Sequence, residues 1–431
     1  MGLEVMSIIL IGGLLLLLAI GVEIAVAMGV MATIGLVFFV QEPLGQFTFS
    51  AFGIMNSFVL TAMPLFIFMG TILAYTGVVR RLFSGANKLI GNFAGGITSS
   101  VIVANAIFGA MSGSSLAATA TFGQIAYPDM EKLGYSPKLS LGAIAAAGTL
   151  SVLIPPSFVL IVYGGWLDVS VPRLFAGGLI PGIMLALLLI LTVMVLVKIR
   201  PSLAPASPSF TWREKLSAVK DVAPFVALII IVLGVIFVGI MTPTESAAMG
   251  VFLSVVLALT YRRMSFAAFK ESMKTSLKIT AMVAFLLFTA RVLGQVFQYV
   301  GLTDGFSALM LQLPFGKYGI FAIICVLYII LGMFFDTLSM LVLTIPFVGP
   351  LLFNLGFSPL WFGVVFVVLA EIGLITPPFG LNLFVLQGAV PKYDVVTIAL
   401  GALPFLVPML ITVVLLTVFP ELVLWLPGIL F

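Results

Sequence analysis

The 431-residue chain is 62% hydrophobic and 8% charged, carries a formal net charge of +4, and contains no His and one Cys. With a mean hydropathy of +1.32, this composition excludes a soluble domain and fits an integral membrane protein with many spans. The missing His and second Cys remove imidazole acid–base chemistry, thiolate metal sites and intrachain disulfides, and the positive surplus is a topological signal rather than a nucleic-acid footprint.

In chain order, Met6–Ile20 and Ile24–Val40 read as two spans meeting at Gly21–Val22–Glu23. Residues 6–20 imitate a secretory leader, but no basic region precedes them and apolar sequence continues, so a first span is expected. Gln41–Asn56 reads as a polar loop without Lys or Arg, and Ser57–Tyr75 as the next span, ending at Arg80, Arg81 and Lys88. Ile97–Tyr127 is centred on Met111–Ser112–Gly113–Ser114–Ser115, is about twice half a membrane long, and is too long for one span. It reads as a re-entrant hairpin. Leu139–Trp166 is broken by Gly148 and Pro155–Pro156, and Leu174–Val197 is a further span. Pro201–Asp221 reads as a linker with a short amphipathic helix along the membrane.

After the linker the plan restarts. Val222–Met241 and Glu245–Tyr261 are spans, Arg262–Lys278 is a basic amphipathic segment, and Ile279–Val300 is a span containing Arg291. Tyr318–Gly356 is a second hairpin centred on Gly332–Ser339. Leu360–Val390 is a second broken span interrupted at Ile375–Thr376–Pro377–Pro378, and Val395–Phe419 is the last long span. Local matches support a repeat with an offset of about 220 residues. Met28–Gly29–Val30 answers Met249–Gly250–Val251, Thr61–Ala62–Met63 answers Thr280–Ala281–Met282, Leu153–Ile154–Pro155–Pro156 answers Ile375–Thr376–Pro377–Pro378, and Pro181 answers Pro404. Placing the linker in the cytoplasm, as the positive-inside rule requires, leaves nearly all basic residues inside and gives the halves opposite orientation, with both chain ends outward.

The breaks carry the chemistry. Unsatisfied backbone in a bilayer is tolerated only where it packs in protein or lines a polar cavity. The mundane reading of Ser112–Ser115 is close helix packing through small residues. The functional reading is a pair of half-helix ends whose N–H dipoles attract an anion and whose free carbonyls take a cation. Asn105 either binds or hydrogen-bonds a neighbouring helix. The paired prolines, flanked by Thr149, Ser151, Ser157, Thr376 and Asn382, are either plain kinks or oxygen-rich breaks suited to Na⁺. Asp336 at the second tip is an intramembrane carboxylate and reads as functional, through Na⁺, substrate hydroxyls or a proton. Glu371 and Arg291 either pair structurally or face the transport path. Glu23 and Glu245 read as helix-start charges, and Cys325 as a small packed residue.

The constellation Met111–Ser115…Ala118–Thr119–Ala120, Gly148–Thr149–Leu150…Leu153–Ile154–Pro155–Pro156–Ser157, Phe335–Asp336 and Thr376–Pro377–Pro378–Phe379–Gly380 resembles the large membrane subunit of the tripartite ATP-independent periplasmic (TRAP) transporters over essentially the whole chain. Ser151 departs from the pattern, which favours Gly there. The resemblance implies an all-α polytopic fold of two inverted-topology repeats, each with a hairpin and a discontinuous helix, working as an elevator. It implies Na⁺-coupled uptake of an organic acid anion, such as a C4-dicarboxylate or sialic acid, across the bacterial inner membrane. It also implies two partners, a periplasmic substrate-binding protein and a small four-helix membrane subunit, and no organic cofactor. On that pattern Ser115 and Asp336, with Ser114, Ser157, Asn382 and Arg291, are expected at the substrate. Asn105, Ser112, Gly148, Thr149, Pro155, Gly332, Thr337, Gly373, Thr376 and Pro377 are expected at Na⁺. Scaffold helices are expected in 1–96 and 222–317, moving elements in 97–173 and 318–394, a connecting span and linker in 174–221, and a terminal span in 395–431.

The rivals are a binding-protein-independent sodium/anion symporter of related two-hairpin fold, a channel, and an intramembrane enzyme. An aspartyl protease needs two facing carboxylates, whereas Asp336 is the only Asp deep in a span. The chain also lacks a GxxxxGK[ST] motif, which argues against direct ATP drive.

Overall fold

The computed structural model describes residues 2–41, 44–93, 95–205 and 210–431; part of the first polar loop and residues 206–209 of the linker lie outside them. Among the described residues every regular element is helical. Seven helices are long and apolar enough to cross a membrane, and an eighth crossing is formed if Ala62–Tyr75 and Val79–Ile90, bent by 75°, are taken as one broken span. Large apolar side chains such as Leu187, Ile230, Phe252 and Val414 are exposed along these helices. This is the arrangement expected of lipid-facing surface, because acyl chains solvate such side chains as well as a protein core does.

The hairpins and broken helices occur where the breaks in the sequence put them. The first hairpin runs down Gly96–Ser112, turns at Gly113 and Ser114, and returns along Ser115–Ile125. Gly113 has φ +63°, a left-handed conformation that glycine adopts without penalty. The first broken helix is Pro137–Leu153 followed, after Ile154–Ser157, by Phe158–Leu167. The second hairpin pairs Lys317–Gly332 with Thr337–Asn354, and the second broken helix pairs Pro359–Leu374 with Leu381–Ala389. Both Pro–Pro bonds, Pro155–Pro156 and Pro377–Pro378, are cis. The all-α, two-repeat architecture expected from the sequence is therefore observed.

Three expectations need correction. The loop after the second span contains the helix Gly45–Met55, whose Phe49, Phe52 and Met55 are exposed. The amphipathic segment of the linker is not a separate surface helix. It is the start of Trp212–Phe237, opened by a capping box in which Thr211 and Glu214 satisfy each other's backbone ends. Likewise, the basic segment and the span after it form one helix, Phe266–Tyr299. In both cases a change from polar to apolar composition marks where a helix enters the membrane, not where it ends. Both expected helix-start charges sit at helix starts: Glu245 forms a capping box with Thr242, and Glu23 is the N-cap of Ile24–Ile34 without a side-chain cap bond.

Glycine sets how closely the site-bearing helices approach. A Cβ on Gly373 would lie 2.4 Å from the Gly332 Cα, so the second hairpin and second broken helix cross backbone to backbone. The first half has the same crossing, where a Cβ on Gly109 would lie 2.5 Å from the Ser151 Cα. The terminal span Val395–Val418 packs on the first broken helix through Gly142 and Gly401 in the same manner.

Candidate functional site

Three of the four half-helix junctions carry a side-chain N-cap. A helix start leaves N–H groups without intrahelical partners, and a side-chain oxygen just before the first turn accepts one or more of them. Ser114 accepts from the Ala117 N–H at 3.3 Å, and Ser157 from the Leu160 N–H at 3.4 Å. At the second tip, Asp336 Oδ1 accepts from the Leu338 and Ser339 N–H groups at 3.0 and 3.1 Å, while the Ser339 hydroxyl donates to Oδ2. Gly380, at φ +24°, occupies the corresponding position in the second break without a side-chain cap. Asp336 is thus the side-chain N-cap of Thr337–Asn354, at a helix end that favours a carboxylate.

The residues directly after the two tip caps are Ser115 and Thr337. Both donate hydroxyl hydrogen bonds to one carboxylate oxygen, Glu371 Oε1, at 3.3 and 2.8 Å. Ser115 belongs to the first hairpin, Thr337 to the second, and Glu371 to the second broken helix. Glu371 is 1% exposed, and its other oxygen, Oε2, is buried without a hydrogen-bond partner. Sequence reasoning marked Glu371 as intramembrane but left it out of the site. The usable signal was that it stands at the Thr149 position of the second repeat once the Pro–Pro pairs are superposed.

Of the expected Na⁺ residues, Thr337 is the one that hydrogen-bonds Glu371. Thr149, Thr376 and Ser112 direct their hydroxyl hydrogens back to carbonyls of their own helices, Ala146, Ile372 and Gly109. Their oxygens keep lone pairs for a cation. Gly148 makes room for a neighbour: a Cβ there would lie 2.0 Å from Thr119 Oγ1 and 3.2 Å from the Ser115 carbonyl oxygen. The Thr119 hydroxyl is buried without a partner, as are both amide atoms of Asn382 and the Asn105 Nδ2. Asn105 Oδ1 accepts from the Ser151 hydroxyl at 3.4 Å. Gly332 and Gly373 serve the close helix crossing, and Pro155 and Pro377 form the breaks.

Arg291 is not brought to the tips. It lines a separate cavity of about 270 Å³ with Trp166, Gln295, Gln298, Thr303 and Pro346. Pro346 is ten residues beyond Asp336, roughly 15 Å along the helix. Nor does Arg291 pair with Glu371; among the described residues the ion pairs are Arg80–Asp129, Arg81–Asp221 and Lys392–Glu131.

The family model described as "Tripartite ATP-independent periplasmic transporter, DctM component" matches residues 11–422. The chain belongs to this family. It is therefore a transporter permease of the TRAP class and not an enzyme. The "C4-dicarboxylate TRAP transporter large permease protein DctM" of Vibrio cholerae is 33% identical, with 96% of each chain covered. The "Isethionate TRAP transporter permease protein DctMQ" of Oleidesulfovibrio alaskensis is 31% identical over 97% of this chain and 66% of its own length. Among solved structures, the Alcanivorax borkumensis YdaH transporter superposes with a TM-score of 0.60 at 17% identity, covering 88% of this chain and 87% of that one, which is a likeness of fold.

Proposed function

We propose that this TRAP large permease imports an organic acid anion across the bacterial inner membrane in symport with Na⁺. The substrate is released to it by a periplasmic binding protein, and a small four-helix subunit completes the scaffold. The observation that carries this reading is the convergence of Ser115 and Thr337, the first residues of two half-helices from opposite repeats, on one buried point. Half-helix N-termini attract anions, and the hydroxyl and carbonyl oxygens beside the breaks suit Na⁺. An anion entering against a negative interior opposes a field of about 2.3 kcal/mol per charge per 100 mV, which favours more than one Na⁺ per cycle.

Under this reading the hairpins and broken helices move as one body against the scaffold helices, and both termini face the periplasm. The substrate class follows the relatives' names, which span carboxylate and sulfonate cargo. The test is uptake into proteoliposomes with the cognate binding protein and a panel of organic acids, with and without an inward Na⁺ gradient. Gradient-dependent accumulation is the expected result. Ser115→Ala and Asp336→Ala are expected to abolish it while leaving membrane insertion intact. Accumulation independent of Na⁺ and of the binding protein would overturn the reading.

A further inference from the structure

We propose that Arg291 anchors a second anion site, apart from the hairpin tips, that takes the carboxylate or sulfonate group of a small organic acid. The proposal rests on the organic-acid import reading for its class of ligand and adds to it a site on the entry side of the membrane.

Arg291 lies inside a membrane-spanning helix and forms no ion pair among the described residues. A guanidinium within a bilayer requires an anion, water or acceptor oxygens at its N–H groups. The cavity of about 270 Å³ that it lines supplies no counter-charge, because no Asp or Glu lines it. Asp304, next in sequence to Thr303, neither lines the cavity nor pairs with Arg291. The other polar side chains of the lining, Gln295, Gln298, Thr303 and Trp166, all carry N–H or O–H donors. Nor is the lining closed on itself: Gln295 Oε1 is buried without a hydrogen-bond partner. A guanidinium among neutral donors is a recognition set for an oxyanion, and its planar fork offers two parallel hydrogen bonds to one acid group. Size narrows the ligand further. Pockets for drug-sized molecules measure roughly 300–1,000 Å³, so a cavity of about 270 Å³ suits an acid of a few carbons better than a sugar acid.

Position separates this cavity from the tips and relates it to them. Its walls come from Phe266–Tyr299, the start of Leu302–Leu311, the second hairpin's arm Thr337–Asn354 and the end of Phe158–Leu167. The last two helices begin at the second tip and the first break. Trp166 stands eight residues beyond Phe158, about 12 Å along its helix, and Pro346 stands a similar length beyond Asp336. One arm from each repeat therefore leads from the tip or break to the same cavity. Arg291 stands eight residues before Tyr299, about 12 Å from that end of its helix and far from the basic segment at the other end. With the basic segment in the cytoplasm, the cavity lies toward the periplasm, where the acid arrives.

Trp166 makes the cavity its own reporter. The test is a titration of the purified, detergent-solubilised protein with succinate and with isethionate, a C4-dicarboxylate and a sulfonate, read by Trp fluorescence. A saturable change is expected, and it is expected to be absent from Trp166→Phe. Arg291→Gln, which removes the charge-assisted hydrogen bonds, is expected to raise the midpoint by about tenfold or more. Arg291→Lys, a point charge without the fork, is expected to raise it by about threefold or more. Ser115→Ala, at the tips, is expected to leave it in place. The proposal is overturned by no saturable response to either acid, by a response that survives in Trp166→Phe, or by a midpoint that moves with Ser115→Ala and not with Arg291→Gln. An unmoved midpoint in Arg291→Gln, or in Arg291→Lys where the Gln variant does not assemble, also overturns it. So does a response to sulfate or to added phosphatidylglycerol without one to either acid. This equilibrium readout uses no gradient, so it fails separately from the import reading. Na⁺-driven uptake without an Arg291-dependent response removes only this site, and an Arg291-dependent response in a protein that accumulates no organic acid removes only the import reading.

Discussion

The two hairpin tips are built on one plan and finished differently. In the first half the tip is covered: the backbone of Met111 and Ser112 lies against Gly70 of the helix Ala62–Tyr75, where a Cβ would come within 2.6 Å of the Ser112 Cα. The first break, from Ile154 to Ser157, is fully buried. In the second half Phe334 and Phe379 stand 51% and 48% exposed, with ring centroids 4.9 Å apart, and join the tip to the break at the surface. The caps differ in the same sense, the Ser114 hydroxyl against the Asp336 carboxyl, and the repeat partners Thr149 and Glu371 differ in the same way. The duplicated backbone supplies a symmetric frame, and its side chains place the carboxylates in one half only. The first half is the packed side of the site, the second its carboxyl-bearing and open side.

The comparison is most severely strained at the glycine crossings. Gly373→Ala puts a Cβ onto the Gly332 backbone, which has no side chain that can yield, and is expected to cost about 3 kcal/mol in thermal unfolding. A change of less than 1 kcal/mol, roughly the scale of a tolerated swap, would mean that the second crossing is looser than described. A smaller effect separates the two hydroxyls on Glu371. Thr337→Val, which removes the 2.8 Å bond, is expected to cost about 2 kcal/mol, and Ser115→Ala, which removes the 3.3 Å bond, about 1 kcal/mol. The reverse order would place the tighter grip on the first half.

The smallest effect lies at the surface tie between the halves. Lys392, after the second broken helix, meets Glu131, after the first hairpin, at 2.6 Å. The Lys392 ammonium holds the Glu131 carboxyl below its ordinary range, and Glu131 in turn raises Lys392. The tie is therefore complete at neutral pH, is lost as pH falls through the lowered Glu131 value, and is lost again only at strongly alkaline pH. Lys392→Ala is expected to lower the unfolding temperature slightly at neutral pH. That difference should vanish below the ordinary carboxylate range; persistence there would assign the effect to packing.

Much of this was legible in the residues. Helix breakers inside apolar runs located both hairpins and both broken helices, because a bilayer allows such breaks only for a reason. The repeat followed from matched Pro–Pro pairs. Helix continuity across the membrane surface was not legible: Trp212–Phe237 and Phe266–Tyr299 begin polar and end apolar without any stop signal at the boundary. The centre of the site was only half legible. Hydroxyls at the tips announced themselves beside glycine and proline, whereas Glu371 sits in a plain apolar run, and its partners lie 256 and 34 residues away in sequence. Arg291 was legible as an intramembrane charge, but its place in a cavity beside Pro346 rather than paired with Glu371 was not.

The central claim is that the tips of the two halves meet at one point. Cross-linking a Ser115→Cys/Thr337→Cys variant with Hg²⁺ in membranes, with the single native Cys325 replaced by Ala, tests it directly. Two side chains that share one carboxylate oxygen should be bridged rapidly, with no intrachain bridge in either single-Cys control. No bridge in a folded, inserted variant would contradict the claim.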